Sequence, residues 1–323
     1  IDRGMKPETT VFDAQRCWRG YCPKNFGNKY YGNISLADAL KNSLNTVAVQ
    51  LQDIVGFDPV IEIANNFNIG TERPLGKYYP MAIGAEEQTI LDMTAAYAGM
   101  ANRGVFFTPS PIEEVRGPKN ELIWSRRLSD NRGKRAIDSD VADTMNWMLQ
   151  RVVTGGTGIA AKLDDRQVAG KTGTSENTRD LWFIGSIPQL TTGVWFGYDD
   201  DRATKSTSGE AAWAWKQFML QIKDEIPVRA FPDKPKTKRK MRLAVDPKTI
   251  AKPPKTKPKQ KENGTGEPDA AKPPVETNLH ALPPLPPPTP TTPYSWRNNP
   301  PDRNTARQGR RWTRAHPKAL DPP

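Results

Sequence analysis

The sequence predicts an α+β domain, in which helices flank an antiparallel sheet, followed by a disordered tail. Apolar residues recur at helical spacing in five segments, which predicts five helices. Three consecutive strand-like segments lie between residues 167 and 198 with short connections, which predicts an antiparallel sheet. Composition predicts the tail, because the residues from Phe231 onward hold 21 of the 31 prolines.

The first half of the domain is predicted to be mainly helical. Residues 1–32 are rich in Gly, Pro, Asn and aromatic side chains, and we expect extended loops with short strands there. Ser35 is typical of a helix N-cap, with Asp38 three residues later in a capping-box position. One helix is predicted from Leu36 to Asp53, and Gly56 ends it. Further helices are predicted over residues 59–67 and 89–102.

The second half is predicted to alternate strands and helices. A helix capped by Asp138 or Ser139 is expected to end before Gly155, and a last helix covers residues 209–222. Aromatic residues in the last two strands favour a buried sheet. The strands are predicted near residues 112–115 and 122–124, and over residues 167–174, 180–187 and 192–198.

Several function classes are disfavoured by the residue types present. The run Gly155–Gly158 lacks the Lys-Ser/Thr ending of a phosphate-binding loop, so a flexible connection is predicted there. The two histidines, His280 and His316, both lie in the tail, so neither a zinc site nor a histidine-based catalytic triad is expected in the domain. We therefore expect no cofactor and no metal.

Cys17 and Cys22 are the two cysteines of the chain. Their spacing, with Gly20 between them, permits a local disulfide, which would require an oxidising compartment. Two free thiols are equally compatible with the sequence, so both states stay open at this point.

The positive charge of the chain belongs to the tail. From Phe231 onward there are 20 Lys and Arg against 8 Asp and Glu, whereas residues 1–230 have 27 against 28. A flexible polycation can bind anionic polymers or membrane surfaces, and the alternative is a solvated spacer stiffened by proline. Specific nucleic-acid binding is not expected, because no aromatic-interleaved basic motif is present.

The candidate site residues lie in two short motifs. Lys171-Thr172-Gly173-Thr174 combines a cation, two hydroxyls and a glycine on a predicted strand, where a ligand can approach closely. Ser43 and Asn45 lie about 130 residues earlier on the predicted first helix. Because two residues so spaced point in different directions on a helix, both face one site only near a helix end or a bend.

Ser-x-Asn followed by Lys-Thr-Gly resembles the second and third motifs of penicillin-binding proteins. The similarity extends well beyond these motifs, and the chain resembles the transpeptidase domain of class A (bifunctional) penicillin-binding proteins. The segments that carry the resemblance are Ile34–Val49, Ala82–Ala85, Ala95–Asn102, Gly156–Gly158, Val168–Ser175, Asp180–Gly185 and Gly193–Asp199.

The resemblance implies a penicillin-binding/β-lactamase-like fold, N-terminally incomplete, over residues 1–230, with a disordered basic tail over 231–323. It also implies serine acyl transfer on the D-alanyl-D-alanine ends of peptidoglycan stem peptides, with β-lactams as mimics. Ser43 would then relay protons, Asn45 would hold the substrate amide, and Lys171 would supply charge and help proton transfer. The substrate carboxylate would be bound around Gly173 by the hydroxyls of Thr172 and Thr174. The Thr174 backbone N–H would contribute to the oxyanion hole.

The chain departs from the family pattern because it contains no Ser-x-x-Lys, the motif that carries the nucleophile. Ser129–Arg132 keeps a basic residue, but arginine cannot act as the base. We therefore expect that the nucleophile lies just upstream of Ile1 and that these residues alone are inactive. Independent folding is also doubtful, since the nucleophile helix is central in this fold.

The resemblance further implies a parent with a glycosyltransferase domain and a membrane anchor, on the extracytoplasmic face of the membrane. In that compartment the basic tail would contact anionic cell-wall polymers, and divisome or elongasome proteins would be partners. Two alternatives remain open from sequence: a D,D-carboxypeptidase or β-lactamase-type hydrolase, and a non-catalytic module.

Overall fold

A computed structural model describes residues 1–128, 133–236, 239, 242–243 and 252 of the chain. It confirms the α+β fold class. Within the described part there are six α-helices and nine strands. The helices are α1 Leu36–Lys41, α2 Asn45–Val55, α3 Phe57–Asn66, α4 Ile90–Ala101, α5 Ser139–Gly155 and α6 Ser208–Ile222. The strands are β1 Thr10–Asp13, β2 Gly32–Ser35, β3 Val105–Phe106, β4 Glu114–Arg116, β5 Leu122–Ser125, β6 Lys134–Arg135, β7 Ala169–Thr174, β8 Leu181–Ile187 and β9 Leu190–Phe196.

The main sheet has three antiparallel strands in the order β7-β8-β9. Helix α6 packs on β8, and α5 packs on β7. Their shared core contains Phe183 and Trp215, both fully buried and in edge-on contact with ring centroids 5.5 Å apart. Burying two aromatic side chains contributes several kcal/mol, roughly 1.5–3 kcal/mol each. The position of β7, on which the candidate lysine lies, is thus set by buried packing.

A second core joins α1, α2 and α5 to the first hairpin. Val11, Leu36, Val47 and Met148 are buried together there. Strands β1 and β2 pair antiparallel, with Asp13 opposite Gly32. The predicted short strands in the first 32 residues thus correspond to β1, and the residues around it pack against the helices that follow.

The prediction of one continuous helix from Leu36 to Asp53 was wrong. Helix α1 ends at Lys41 and α2 begins at Asn45, because Ser43 adopts a left-handed backbone conformation with φ of 55°. The Ser43 N–H donates to the Leu40 carbonyl and the Leu44 N–H donates to the Ala39 carbonyl, which is the pairing of a Schellman helix end. Glycine is usual at this position, and a serine there costs roughly 1–2 kcal/mol.

The two cysteines form a disulfide between Cys17 and Cys22, which decides the alternative that the sequence left open. The disulfide closes a short loop in which Trp18 and Tyr21 exchange backbone hydrogen bonds. A one-turn 3-10 helix over Tyr79–Ile83 and the pair β3–β6 were not predicted from sequence.

Most of the predicted tail, and Ser129–Arg132, lie outside the described residues. The first tail residues that are described contact the domain. Phe231 is buried against Leu149 and Ala169, and Lys234 forms an ion pair with Glu8. The domain boundary after residue 230 stays a prediction. Among the described residues, no helix is both long and apolar enough to cross a membrane.

Candidate active site

The structure brings Ser43 and Lys171 together across 128 positions of sequence. The Lys171 Nζ donates to Ser43 Oγ at 2.7 Å and to the Thr172 carbonyl at 2.9 Å. Ser43 lies in the turn between α1 and α2, and Lys171 lies on β7. An amine and a hydroxyl at this distance can exchange a proton directly.

The amine of Lys171 is surrounded by protein, and this burial lowers its pKa from 10.5 to about 8. No carboxylate of the described chain forms an ion pair with it. At pH 7, roughly one molecule in ten would therefore carry the neutral amine. Lys171 can thus act as a cation and, in its neutral form, as a proton acceptor.

The left-handed turn aims the Ser43 side chain at Lys171. In a continuous helix, Ser43 and Asn45 would point about 200° apart. The break between α1 and α2 removes this restriction, which is the bend that the sequence analysis required. Strain at a left-handed serine persists only where the surroundings hold it, and such positions cluster at functional sites.

Asn45 is the first residue of α2 and is not in hydrogen-bond contact with Lys171. Its side-chain Nδ2 donates to the Lys24 carbonyl at 2.8 Å. With the NH2 group held in this way, Oδ1 is the atom that can accept a hydrogen bond from a substrate N–H.

Thr172 is buried, and its hydroxyl oxygen lies 2.7 Å from that of Thr157. The Thr157 backbone N–H donates to the Lys41 carbonyl at 3.2 Å, at the end of α1. The preceding Gly156 lies so close that a Cβ there would be 2.4 Å from the Lys41 carbonyl oxygen. Thr157 therefore links β7 to the Ser43 turn.

The sequence analysis does not include Thr157 among the site residues, and the glycine run around it predicts a flexible connection. Its presence in the segment Gly156–Gly158, which contributes to the family resemblance, was the signal that could have identified it. The structure gives the reason for the glycines, since Gly156 contacts the Lys41 carbonyl and a Cβ at Gly158 would lie 3.2 Å from Phe183.

Gly173 and Thr174 complete the strand. Gly173 pairs with Trp182, and a Cβ added to Gly173 would lie 3.1 Å from the Trp182 Cβ. Thr174 is the last residue of β7 and is exposed, whereas Thr172 is buried. A ligand on the Thr172 face of β7 would therefore meet a free hydroxyl at Thr174 and a hydrogen-bonded one at Thr172.

The described residues hold no cluster of three or more His, Cys, Asp or Glu side chains that could bind a metal ion. The chemistry that the geometry offers is hydrogen bonding and proton transfer by amine, hydroxyl and amide groups.

Comparison with known proteins places this geometry in a family. A family model described as the penicillin binding protein transpeptidase domain matches residues 1–212. The chain belongs to this family. Among curated relatives, penicillin-binding protein 1A of Aquifex aeolicus is 35% identical over 236 residues, which is 72% of this chain and 31% of that protein. Penicillin-binding protein 4 of Bacillus subtilis is 29% identical over 198 residues, or 61% of this chain and 31% of that protein.

Solved structures of the same family share the fold. PonA1 from Mycobacterium tuberculosis has a TM-score of 0.67 at 23% identity, covering 76% of this chain and 70% of that one. Penicillin-binding protein 1A from Haemophilus influenzae has a TM-score of 0.65 at 21% identity, covering 73% of this chain and 42% of that one. The chain spans about a third of the length of the curated relatives that it matches.

Proposed function

We propose that the chain is part of the D,D-transpeptidase of a class A penicillin-binding protein, which cross-links peptidoglycan stem peptides by serine acyl transfer. The observation that carries the proposal is the contact of Lys171 Nζ with Ser43 Oγ at 2.7 Å, beside a strand that continues as Thr172-Gly173-Thr174. Membership of the penicillin-binding family supports it.

In this reaction a serine hydroxyl attacks the carbonyl of the penultimate D-alanine. An ester forms, and the peptide bond to the terminal D-alanine breaks as its nitrogen takes up a proton. The amine of a second stem peptide then attacks the ester, an amide forms, and the serine regains its proton. β-Lactams would react in the first step and stop there.

The residues of this chain would act around that serine. Lys171 and Ser43 would pass the proton to the leaving nitrogen, and Asn45 would bind the substrate amide through Oδ1. The terminal carboxylate would lie near Lys171 and accept hydrogen bonds from Thr172 and Thr174. The Thr174 N–H would donate to the developing oxyanion, a contribution of roughly 3–4 kcal/mol to the barrier.

These 323 residues contain no Ser-x-x-Lys. We propose that the attacking serine belongs to a longer gene product that contains this chain, called the longer protein below. The curated relatives, of which this chain covers 31%, support such a length. A glycosyltransferase domain and a membrane anchor would be parts of the longer protein.

The longer protein would lie on the extracytoplasmic face of the membrane. The Cys17–Cys22 disulfide supports this location, because disulfides persist in oxidising compartments. Contact of the basic tail with anionic cell-wall polymers and association with divisome or elongasome proteins belong to the same proposal.

Labelling with a fluorescent penicillin tests the proposal. The longer protein should become covalently labelled, and the 323-residue chain alone should not. Labelling of the chain alone would contradict the assignment of the nucleophile. A longer protein that stays unlabelled, while a known penicillin-binding protein is labelled in parallel, would contradict the function.

A further inference from the structure

A buried polar cluster lies directly behind the Ser43–Asn45 turn. Its members are Asp13 at the end of β1, Asn25 in the following loop, and Thr46 in the first turn of α2. Their exposed fractions are 1%, 4% and 2%, respectively. Buried polar side chains are costly unless they are hydrogen-bonded, and each of these three is.

The Asp13 carboxylate accepts hydrogen bonds from three groups. The Asn25 Nδ2 donates to Oδ1 at 2.9 Å and to Oδ2 at 3.1 Å, and the Tyr31 N–H donates to Oδ2 at 2.9 Å. The Thr46 hydroxyl also donates to Oδ1. A buried carboxylate with this many donors is held in one orientation, because each lost bond would leave charge without a partner.

Asp13 in turn determines the orientation of Asn25. The amide NH2 must face the acceptors, which are the Asp13 carboxylate and the Lys29 carbonyl at 3.0 Å. The Asn25 Oδ1 is therefore directed to the opposite side, where it accepts from the Thr46 N–H at 3.2 Å and lies 3.1 Å from the Thr46 hydroxyl.

The Thr46 N–H is one of the unpaired donors at the start of α2. The N-cap residue of this helix, Leu44, has no side-chain acceptor. Asn25 supplies the missing acceptor from a loop 21 residues upstream. The adjacent Lys24 carbonyl accepts from Asn45 Nδ2, so two consecutive loop residues hold two consecutive residues of α2.

We propose that Asp13 and Asn25 are positioning residues of the candidate active site, which set the start of α2 and thereby the directions of Ser43 and Asn45. Neither touches Lys171. Their effect passes through Thr46 and the Lys24 carbonyl to a turn whose serine is in a left-handed conformation. The consequence for catalysis rests on the proposed function, whereas the positioning itself does not.

The first test follows the titration of Lys171 by NMR in the longer protein, with ε-13C-labelled lysine and Lys171→Arg to assign the signal. The midpoint should lie near pH 8 in the unaltered protein. In Asn25→Ala, loosening of the Ser43 turn should admit water to the amine and raise the midpoint by about one pH unit or more. Asn33→Ala is the matched control, because Asn33 is an exposed asparagine of the same hairpin. It should leave the midpoint unchanged.

A folded Asn25→Ala variant with an unchanged midpoint would overturn the proposal. If this variant does not fold, Thr46→Val and Thr46→Ser replace it as a pair. Valine removes the hydroxyl group that donates a hydrogen bond to Asp13, and serine keeps this group. A raised midpoint with valine and an unchanged one with serine would support the proposal. An unchanged midpoint with both would reject it.

The second test measures the rate of acylation of the longer protein by penicillin. Asn25→Ala should lower the rate about tenfold or more, and Asn33→Ala should not change it. Failure of the unaltered longer protein to acylate would refute the proposed function, and the Lys171 titration would still decide the positioning role.

Discussion

The two sides of the candidate site are built in different ways. Lys171–Thr174 lie on β7, whose path is set by regular pairing with β8 and by packing of Phe183 against Trp215. Ser43 and Asn45 lie in a turn that combines a left-handed serine with hydrogen bonds that Lys24 and Asn25 accept from the start of α2. One side depends on sheet geometry close in sequence, and the other on contacts with a distant loop. Amino-acid substitutions on the two sides of the site should therefore differ in how strongly they affect activity and stability.

Lys171→Met tests the strand side and should have the largest effect. The variant keeps the length of the side chain and removes the group that contacts Ser43 Oγ. Penicillin acylation of the longer protein should fall by about 10²- to 10⁴-fold, the usual contribution of a proton-transferring residue. Lys162→Met, at an exposed lysine, is the control and should acylate normally. Comparable rates for the two variants would exclude a chemical role for Lys171.

Gly156→Ala tests the contact between the two sides. The added Cβ would lie 2.4 Å from the Lys41 carbonyl oxygen, so we expect a loss of about 1–3 kcal/mol in the free energy of unfolding. Gly155→Ala is the matched control, because its nearest neighbour would be 3.6 Å away. It should be neutral or stabilising by up to about 1 kcal/mol. Urea denaturation of both variants measures this, and equal destabilisation would contradict the contact.

The pH dependence of stability tests the burial of Lys171. Its pKa is about 8 in the folded chain and near 10.5 when exposed, so between these values the unfolded chain binds more protons. The free energy of unfolding should therefore rise with pH between about 8 and 10.5. Below this range the folded chain bears the full cost of burying the charged amine. From about pH 7.5 to 9.5, the unaltered chain should gain about 2 kcal/mol relative to Lys171→Met. A constant difference between the two chains would show that the amine is solvated.

Ser43→Gly and Ser43→Ala test the turn, where the effect on stability should be smallest. Both variants lose the hydroxyl, but only glycine adopts φ of 55° without strain. The free energy of unfolding of the glycine variant should therefore be about 1 kcal/mol higher than that of the alanine variant. The two urea midpoints give the comparison. A more stable alanine variant would indicate that the turn is not left-handed in solution.

The sequence predicted the strand side better than the turn side for a physical reason. Strand β7 is predicted because glycine and hydroxyl residues beside a lysine are typical of a strand that a ligand approaches. These residue types identify Lys171–Thr174 as candidate site residues. The break at Ser43 left no such signal, because Leu40, Leu44 and Val47 continue the helical period across it. Only the requirement that Ser43 and Asn45 face one site pointed to a bend.

The hydrogen bonds that hold the turn were also beyond sequence reasoning. Asp13, Asn25 and Thr157 lie in segments whose composition predicts mainly loops, and loop composition does not reveal which distant backbone group a side chain will meet. The Cys17–Cys22 disulfide stayed undecided for a related reason, since spacing permits a bond but the redox environment determines it.

Burial of Phe231 has a practical consequence for proteolysis. Its side chain covers Ala169 at the start of β7, and its N–H donates to the Gln167 side chain at 2.8 Å. Arg229, two residues earlier, is exposed and offers a trypsin site, as does Lys236 farther on. Cleavage after Lys236 would leave Phe231 in place, whereas cleavage after Arg229 would release it and uncover the strand that carries Lys171. A stable tryptic core should therefore end after residue 230, and shorter products should be rapidly degraded.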